Sequence, residues 1–342
     1  MQKRLSVCLL LVLALSAGPS WAQVTAPWQP WTWPKKLQLG PVSFYAAQRV
    51  SLIDDEKANS TYFRNYDLLL YTDWRMSEKE QLRVYALNNP VHKSHPQVKS
   101  PWWLIYAYYE RDLGSGLLRV GKVPFPFNYQ NGFPEWHSQV RRVTRVWDYG
   151  MTWSSKPKDG WQWDIGWVTD GTTTSSDIDR MNEPAFVGRI RAGVGERLEA
   201  GVSGMYAPKR TIAGTDADLS RFGAHLRWLP SSRLELRGEY VDFRTLSQGS
   251  VIRPAFVGKN GNGWVAEGLY QFSGRLQAFA NYNSLNRAGS GTAVKTWTLG
   301  GRVKVHDRLY LIPEVWLVDD ELPKTDALYD DNRYMLTALA LF

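Results

Sequence analysis

The sequence is poor in cysteine and in long hydrophobic runs, and each shortage excludes a class of protein. One cysteine among 342 residues leaves no pair for a disulfide framework within the chain. The only continuous apolar stretch lies within residues 5–17, which is shorter than the ~20 residues that a helix needs to cross a bilayer. Together with a mean hydropathy of −0.38, this excludes a bundle of transmembrane helices.

The apolar stretch has the organisation of a secretory signal peptide, predicted to span residues 1–22. Lys3 and Arg4 precede it, and Ser20-Trp21-Ala22 places small residues at the two positions that a signal peptidase reads. Cleavage after Ala22 would remove Cys8 and leave 342 − 22 = 320 residues without a thiol. It would also remove two basic residues, so the net charge would change from 41 − 33 = +8 to 39 − 33 = +6. Such a surplus is compatible with anionic partners.

Aromatic residues, glycine and a period of two are what the sequence has in abundance. Its 17 Trp, 17 Tyr and 28 Gly suit β-strands better than helices. From residue 37 onward apolar and polar residues alternate, as in a sheet with two different faces. Phe222, Leu226 and Trp228 fall on one face of such a strand. Arg221 and Arg227 fall on the other. The pattern predicts an all-β fold.

The polar connections between these strands alternate in length. Seven short ones, such as 306–307, alternate with eight longer ones, such as 207–218, and fifteen connections join sixteen strands. Residues 37–342 are therefore predicted to form an up-and-down antiparallel transmembrane β-barrel of sixteen strands. A soluble β-sandwich is the competing interpretation. Strands of about ten residues, alternating connection lengths and aromatic ends of the apolar rows favour the barrel.

The two ends of the mature chain carry further signals. Residues 23–36 are rich in Pro and Trp, which predicts an extended periplasmic arm, with a disordered leader as the alternative. The last strand alternates up to Phe342, and a final strand that ends on an aromatic residue resembles the assembly signal of bacterial outer-membrane proteins. With the signal peptide, this predicts the outer membrane of a Gram-negative bacterium, with outer-membrane lipid as a partner of the barrel.

A sixteen-stranded barrel encloses an aqueous channel, so the inward rows decide what it does. One interpretation is a mutually neutralised wall that stays hydrated. The other is an arginine track that lowers the entry cost for anions. The basic residues assigned inward are Arg119, Arg189, Arg191, Arg221, Arg227, Arg233, Arg237, Arg302, Lys304 and Arg333. The acidic residues assigned inward are Asp67, Asp73, Asp148, Asp164, Glu199, Glu235, Glu239 and Glu314.

Two motifs flank the long connection 125–142. The stretch Leu118-Arg-Val-Gly-Lys-Val-Pro-Phe125 leads into it, and Arg145-Val-Trp-Asp-Tyr-Gly150 follows it. They resemble the phosphate-selective porin O/P family, in which such stretches flank the constriction loop. The resemblance covers about residues 117–170 and implies a sixteen-stranded, usually trimeric, anion-preferring channel. The residues that it would place near the constriction are Arg119, Lys122, Arg141, Arg142 and Arg145.

The resemblance does not carry phosphate specificity to this chain. That specificity relies in the family on an arginine ladder that leads to a lysine-rich region. This chain has few lysines and no lysine cluster in any connection. The acidic residues assigned inward also dilute the basic track.

The connection 125–142 joins the fifth and sixth strands, where sixteen-stranded porins fold a loop into the pore. Its apolar side chains suit packing against a barrel wall better than exposure to water. Alternatively, the loop folds over the mouth of the barrel or takes part in a trimer contact. The residues expected to form this constriction loop are Phe125, Phe127, Tyr129, Glu135, Trp136 and His137.

The main prediction is a porin for passive diffusion of small hydrophilic solutes, with anion preference. A ligand-specific uptake channel is an alternative, in which Trp316, Phe279 and Tyr71 would form an apolar path for sugars or aromatic acids. Packing against the constriction loop is the competing explanation for these three aromatic residues.

An outer-membrane hydrolase is a remote alternative, because it needs a nucleophile beside a histidine. No nucleophile motif such as G-x-S-x-G flanks a histidine. No catalytic residue, metal, cofactor or nucleic-acid partner is therefore expected. The histidines in question are His92, His95, His137, His225 and His306.

Overall fold

The computed structural model describes residues 37–88, 102–124, 126–127, 147–168, 184–212, 215–244, 260–287, 292–324 and 331–342. The predicted signal peptide and periplasmic arm, at 1–36, lie outside these residues. The described residues form one sheet of seventeen strands. In chain order the strands are β1 (Leu37–Leu39), β2 (Val42–Asp55), β3 (Ser60–Arg75), β4 (Glu80–Asn88), β5 (Trp102–Asp112), β6 (Gly116–Pro124), β7 (Trp147–Ser155), β8 (Trp161–Val168), β9 (Ala185–Val194), β10 (Leu198–Ile212), β11 (Thr215–Ser231), β12 (Leu234–Arg244), β13 (Gly261–Gln271), β14 (Leu276–Arg287), β15 (Thr292–His306), β16 (Leu309–Asp320) and β17 (Arg333–Leu341).

Sixteen of these strands close into a barrel. Each strand from β2 to β17 pairs antiparallel with the next, and β17 returns to pair with β2, from Arg333 opposite Asp55 to Leu341 opposite Ala47. The additional short strand β1 turns at Gly40 (φ +59°) and pairs with the start of β2. The predicted up-and-down barrel of sixteen strands is confirmed.

The two rims differ in their connections. At the rim that holds the chain ends, the turns are as short as 307–308 and no longer than 156–160 within the described part. The opposite rim carries the longest connections, of which 125–146 between β6 and β7 is the longest, but the predicted long connections at 56–59 and 288–291 have only four residues each. A third was predicted wrongly: β10 runs to Ile212 and β11 begins at Thr215, so 207–218 is largely strand. A β-bulge between Ala207 and Arg210 lets the ladder continue past Pro208, which cannot donate a backbone hydrogen bond.

The barrel exposes its apolar face and buries its polar face, the reverse of a water-soluble sheet. In β11, Trp228 is 48% exposed while Arg221 is 3% exposed. Leu226 and Phe222 share the exposed face, and Arg227 shares the buried one. Alternation places the buried row toward the lumen, as predicted, because side chains of a strand point alternately to the two faces. Within the described ranges, no helix has the length and apolarity needed to cross a bilayer.

Three apolar clusters lie on the inner wall within the described residues. Two lie towards the rim of long connections, a larger one that includes Val241, Phe243 and Leu285 and a smaller one of Ile53, Trp316 and Met335. The cluster towards the rim of short turns includes Phe279 and Tyr310. On β5 to β13 most of the inward charges lie on the short-turn side of the cluster that contains Phe243, and we call these charges the belt.

Candidate pore-lining site

The belt of inward charges is built from cross-strand ion pairs. Glu110 on β5 lies opposite Arg119 on β6, and the Arg119 Nε donates to a Glu110 carboxylate oxygen at 2.6 Å. The Arg119 Nη1 also donates to the hydroxyl of Ser154 on β7, at 3.2 Å. Arg119 therefore faces inward, and its charge is balanced by Glu110.

A second group spans β8, β9 and β10. The Arg189 Nε donates to an Asp164 carboxylate oxygen at 2.9 Å, because the two residues lie opposite each other in the ladder. Arg191 lies 3.9 Å from Asp164 and 3.9 Å from Glu199. The His225 Nε2 lies 3.8 Å from the same Glu199 carboxylate.

A third group spans β11, β12 and β13. One carboxylate oxygen of Glu235 accepts hydrogen bonds from the Nε of Arg227 at 2.6 Å and of Arg237 at 2.7 Å. Arg237 also lies 3.6 Å from Glu267, whose carboxylate accepts a hydrogen bond from Asn281 at 3.0 Å. The two arginines and two glutamates balance one another. Such a group is held by mutual pairing, since a buried charge without a partner is strongly unfavourable.

These groups support the neutralised-wall interpretation for most of the belt. They also include two inward glutamates that were not predicted. Glu110 and Glu267 were not assigned inward, although each continues an alternating row, after Tyr108 and after Val265. The alternation was the signal that could have found them.

Three further predicted basic residues lie outside these groups. The Arg221 guanidinium is buried beside Met205 and Phe243 and makes no hydrogen bond within the described part of the chain. The Arg302 guanidinium lies over the Phe279 ring, 5.5 Å from its centroid. Lys304 is inward but lies at the rim of short turns, where its Nζ is 3.0 Å from Asp307.

Two other predicted basic residues occupy the barrel ends. Arg333 pairs with Asp55 at 3.0 Å, towards the rim of long connections. Arg233 lies in the exposed turn between β11 and β12, because β12 begins only at the next residue. Arg233 therefore lies at the edge of the inner wall, where the Arg233 carbonyl accepts a backbone hydrogen bond from Gln271 at 2.8 Å.

Lys122 does not share the inward row of Arg119. In the ladder it lies opposite Ala107 and Tyr149, three residues after Arg119, so alternation assigns it to the other face of β6. Its Nζ lies 5.5 Å from the centroid of the Tyr149 ring. The ladder thus separates Lys122 from the arginine track in which it was expected.

The predicted constriction loop is described at Phe127. This side chain is 2% exposed and packs in the apolar cluster with Val123, Val187 and Phe243, which line the inner wall. The other expected loop and constriction residues lie outside the described residues: Phe125, Tyr129, Glu135, Trp136, His137, Arg141, Arg142 and Arg145.

The remaining predicted residues are the acidic residues, the aromatic residues and two histidines. Asp164, Glu199, Glu235, Glu239 and Glu314 lie on inward rows, as does Asp73, which is 3.7 Å from Arg83. Phe279 and Trp316 face inward but are buried, so they offer no open apolar surface to a solute. The residues His92 and His95, and the side chains of Asp67 and Asp148, lie outside what the structure describes.

Tyr71 belongs to a larger arrangement on the inner wall. Tyr45, Tyr71, Tyr85 and Tyr106 lie opposite one another on β2, β3, β4 and β5, and we call these four residues the tyrosine row. Their ring centroids are 4.8, 4.1 and 5.2 Å apart in that order. All four are half-buried. Of these four residues only Tyr71 was predicted to face inward, although each strand shows the alternation that places the others there.

Comparison with known proteins gives structural neighbours only. No protein-family model and no curated protein matches the sequence. The outer membrane channel DcaP of Acinetobacter baumannii is 13% identical with a TM-score of 0.65, covering 88% of this chain and 97% of that one. The anion-selective porin from Comamonas acidovorans is 11% identical with a TM-score of 0.62, covering 88% and 99%. The chain has the porin fold.

A third similar porin-fold structure is described as a trimer. It is OmpT, an outer membrane protein of Vibrio cholerae in its trimer form, 13% identical with a TM-score of 0.62, covering 88% of this chain and 99% of that one. Identities this low show the porin fold alone. They do not single out the phosphate-selective porin O/P family.

Proposed function

We propose that the chain is an outer-membrane porin of a Gram-negative bacterium that lets small hydrophilic solutes pass by diffusion. The observation that carries the proposal is the inverted barrel: sixteen strands close around a charged interior and expose an apolar surface. The hydrocarbon core of a bilayer accommodates an apolar surface, whereas polar side chains would find no water there to hydrogen-bond. Sixteen strands are wide enough to enclose an aqueous channel.

Solute diffusion can be tested in proteoliposomes. The purified protein should let vesicles swell in isotonic solutions of small neutral solutes, at a rate that falls steeply with solute size. Vesicles without protein are the control. An absence of swelling for every solute, with the barrel shown to be folded, would contradict the proposal.

Anion preference is the finer part of the proposal. Most described inward arginines are balanced by carboxylates, but Arg221 adds a positive charge that makes no ion pair within the described part of the chain. The burial of Phe127 supports a loop that enters the barrel and brings Arg141, Arg142 and Arg145 to the constriction. A field-focusing channel with such a surplus lowers the entry cost for anions. The similar porin from Comamonas acidovorans is described as anion-selective.

We further propose a homotrimer embedded in outer-membrane lipid. The trimer form of the similar OmpT structure supports it. The hydrolase alternative gains no support from the histidines that are described. His225 faces Glu199, and the His306 Nδ1 accepts a hydrogen bond from the Arg308 backbone in an exposed turn. Within the described ranges, no three His, Cys, Asp or Glu side chains are grouped to hold a metal ion.

A further inference from the structure

The inner wall is not equally open to water around the barrel. Along β12 and β14 the inward rows are buried, with Glu235 and Asn283 almost without exposure. Along β4 nearly every residue is half-buried, and the Arg83 side chain is 39% exposed. Its counterpart in the buried belt, Arg237, is 16% exposed. Around Tyr45, Tyr71 and Tyr85 the wall formed by β2 to β4 is therefore more open to a solute than the wall formed by β12 to β14, whereas Tyr108 and Glu110 on β5 are buried.

The tyrosine row lies on this open part of the wall. Tyr45, Tyr71 and Tyr85 are stacked with interplanar angles of 18° and 7°. Neighbouring strands are about 4.8 Å apart, close to the ring separations, so these rings stand side by side across the strands. They therefore present ring edges and hydroxyl groups to the lumen. The Tyr106 ring is turned by 61° and closes the row at its far end.

The polar side chains that flank the row carry balanced charge. The next residues towards the rim of short turns are Asp73 and Arg83, 3.7 Å apart, and the Tyr45 hydroxyl donates to Asp73 at 3.3 Å. Beyond them lie Glu110 and Arg119, which form a tight pair. An anionic ligand would meet two carboxylates here together with two arginines. A neutral ligand with many hydroxyl groups meets donors and acceptors in equal supply.

We propose that the tyrosine row is a binding strip for neutral carbohydrates inside the pore. Each phenol hydroxyl both donates and accepts, which matches sugar hydroxyls, and the ring edges provide apolar contact for sugar C–H groups. The charged pairs beside the row supply further partners for vicinal hydroxyls. The strip deepens the proposed function, because it requires an open water-filled pore along β2 to β5.

The test is a sugar titration of the ion current through the purified protein in a planar bilayer, with maltotriose as the probe. The wild-type current should fall with a saturable dependence on maltotriose. Polyethylene glycol of similar size should reduce it without saturation. In Tyr71→Phe/Tyr85→Phe, which removes two hydroxyls and keeps both rings, the half-saturating concentration should rise at least about fivefold.

Tyr334→Phe is the matched control, because Tyr334 is an exposed tyrosine on the outer face of β17. It should keep the wild-type half-saturating concentration. The carbohydrate strip is overturned if the wild-type pore conducts but maltotriose has no saturable effect on the current. It is also overturned if benzoate gives saturation and maltotriose does not. Either result leaves the porin proposal standing. Equal sugar affinity of the double variant and the wild type overturns the role of the row. A folded protein without any conductance overturns both proposals.

Discussion

The charged side chains of the wall are held in pairs that only the strand register brings together. Alternation was sufficient to place Arg227 and Glu235 on the inward face. It was not sufficient to pair Arg237 with Glu267, because that pairing depends on which residue of β13 lies opposite β12. Because the two strands are joined by the long connection 245–260, the sequence does not determine which residues of β12 and β13 lie opposite each other.

Glu235→Gln tests how strongly one such pair supports the barrel. Glu235 is 1% exposed and is shared by Arg227 and Arg237, so the substitution leaves buried positive charge without its carboxylate. The free energy of unfolding should fall by about 3–5 kcal/mol. Urea unfolding in detergent micelles, followed by tryptophan fluorescence, measures it.

Glu196→Gln, in the exposed turn between β9 and β10, is the matched control and should unfold like the wild type. If Glu235→Gln also unfolded at the wild-type midpoint, the group would contribute nothing to stability.

Strand elements were predicted well where they cross the membrane and poorly where they extend beyond it. The outward apolar row marks the crossing part of each strand. Beyond it the sequence of 207–218, with Pro208 and Gly214, has the composition of a loop. The structure nevertheless pairs Ile212 with Thr215, because a bulge accommodates Pro208 and the backbone ladder needs no apolar pattern.

Gly121→Ala tests a backbone requirement within β6. Gly121 has a φ of +129°, and a Cβ atom there would overlap the carbonyl oxygen of Ala107 on the neighbouring strand. The substitution should lower the free energy of unfolding by about 1–3 kcal/mol. Gly204→Ala, where a Cβ would meet open space, should stay within about 0.5 kcal/mol of the wild type. Equal unfolding midpoints for the two variants would show that a Cβ atom at position 121 causes no backbone strain.

Phe342→Ala tests the last strand as an assembly signal. The Phe342 backbone pairs with Ala46, and its side chain is 60% exposed on the outer face, where a recognition factor has access. The amount of folded protein in the outer membrane of cells should fall severalfold, while refolding of the purified protein in detergent should be unchanged. Phe272→Ala, an exposed aromatic residue in a turn at the same rim, should assemble normally. Normal assembly of both variants would show that Phe342 is not required as an assembly signal.

For the whole molecule, the number of strands could be predicted but the filling of the lumen could not. Sixteen strands follow from fifteen connections, each marked by local polar and turn residues. Besides charged residues, only Trp316, Phe279 and Tyr71 were assigned to the inner wall, and the buried apolar cluster that contains Phe243 and Leu285 was not expected. Strand alternation cannot reveal this cluster, because it forms between residues far apart in the chain.

The proposed anion preference belongs to the scale of the whole pore, and the loop arginines test it. Arg141→Ala/Arg142→Ala/Arg145→Ala should lower the anion-to-cation permeability ratio towards 1, because three positive charges leave the predicted constriction. Arg233→Ala/Arg275→Ala/Arg308→Ala removes the same charge from exposed turns at the rim of short turns and should keep the wild-type ratio. Equal ratios for the two triple variants would contradict the constriction role.

The reversal potential of the purified wild-type protein, in a planar bilayer with a tenfold gradient of potassium chloride, tests the central claim most directly. We expect stepwise insertion of conducting pores and a reversal potential whose sign shows that chloride permeates more readily than potassium. A folded protein that inserts without conductance would contradict the pore itself. Conductance with a reversal potential of the opposite sign would contradict the anion preference.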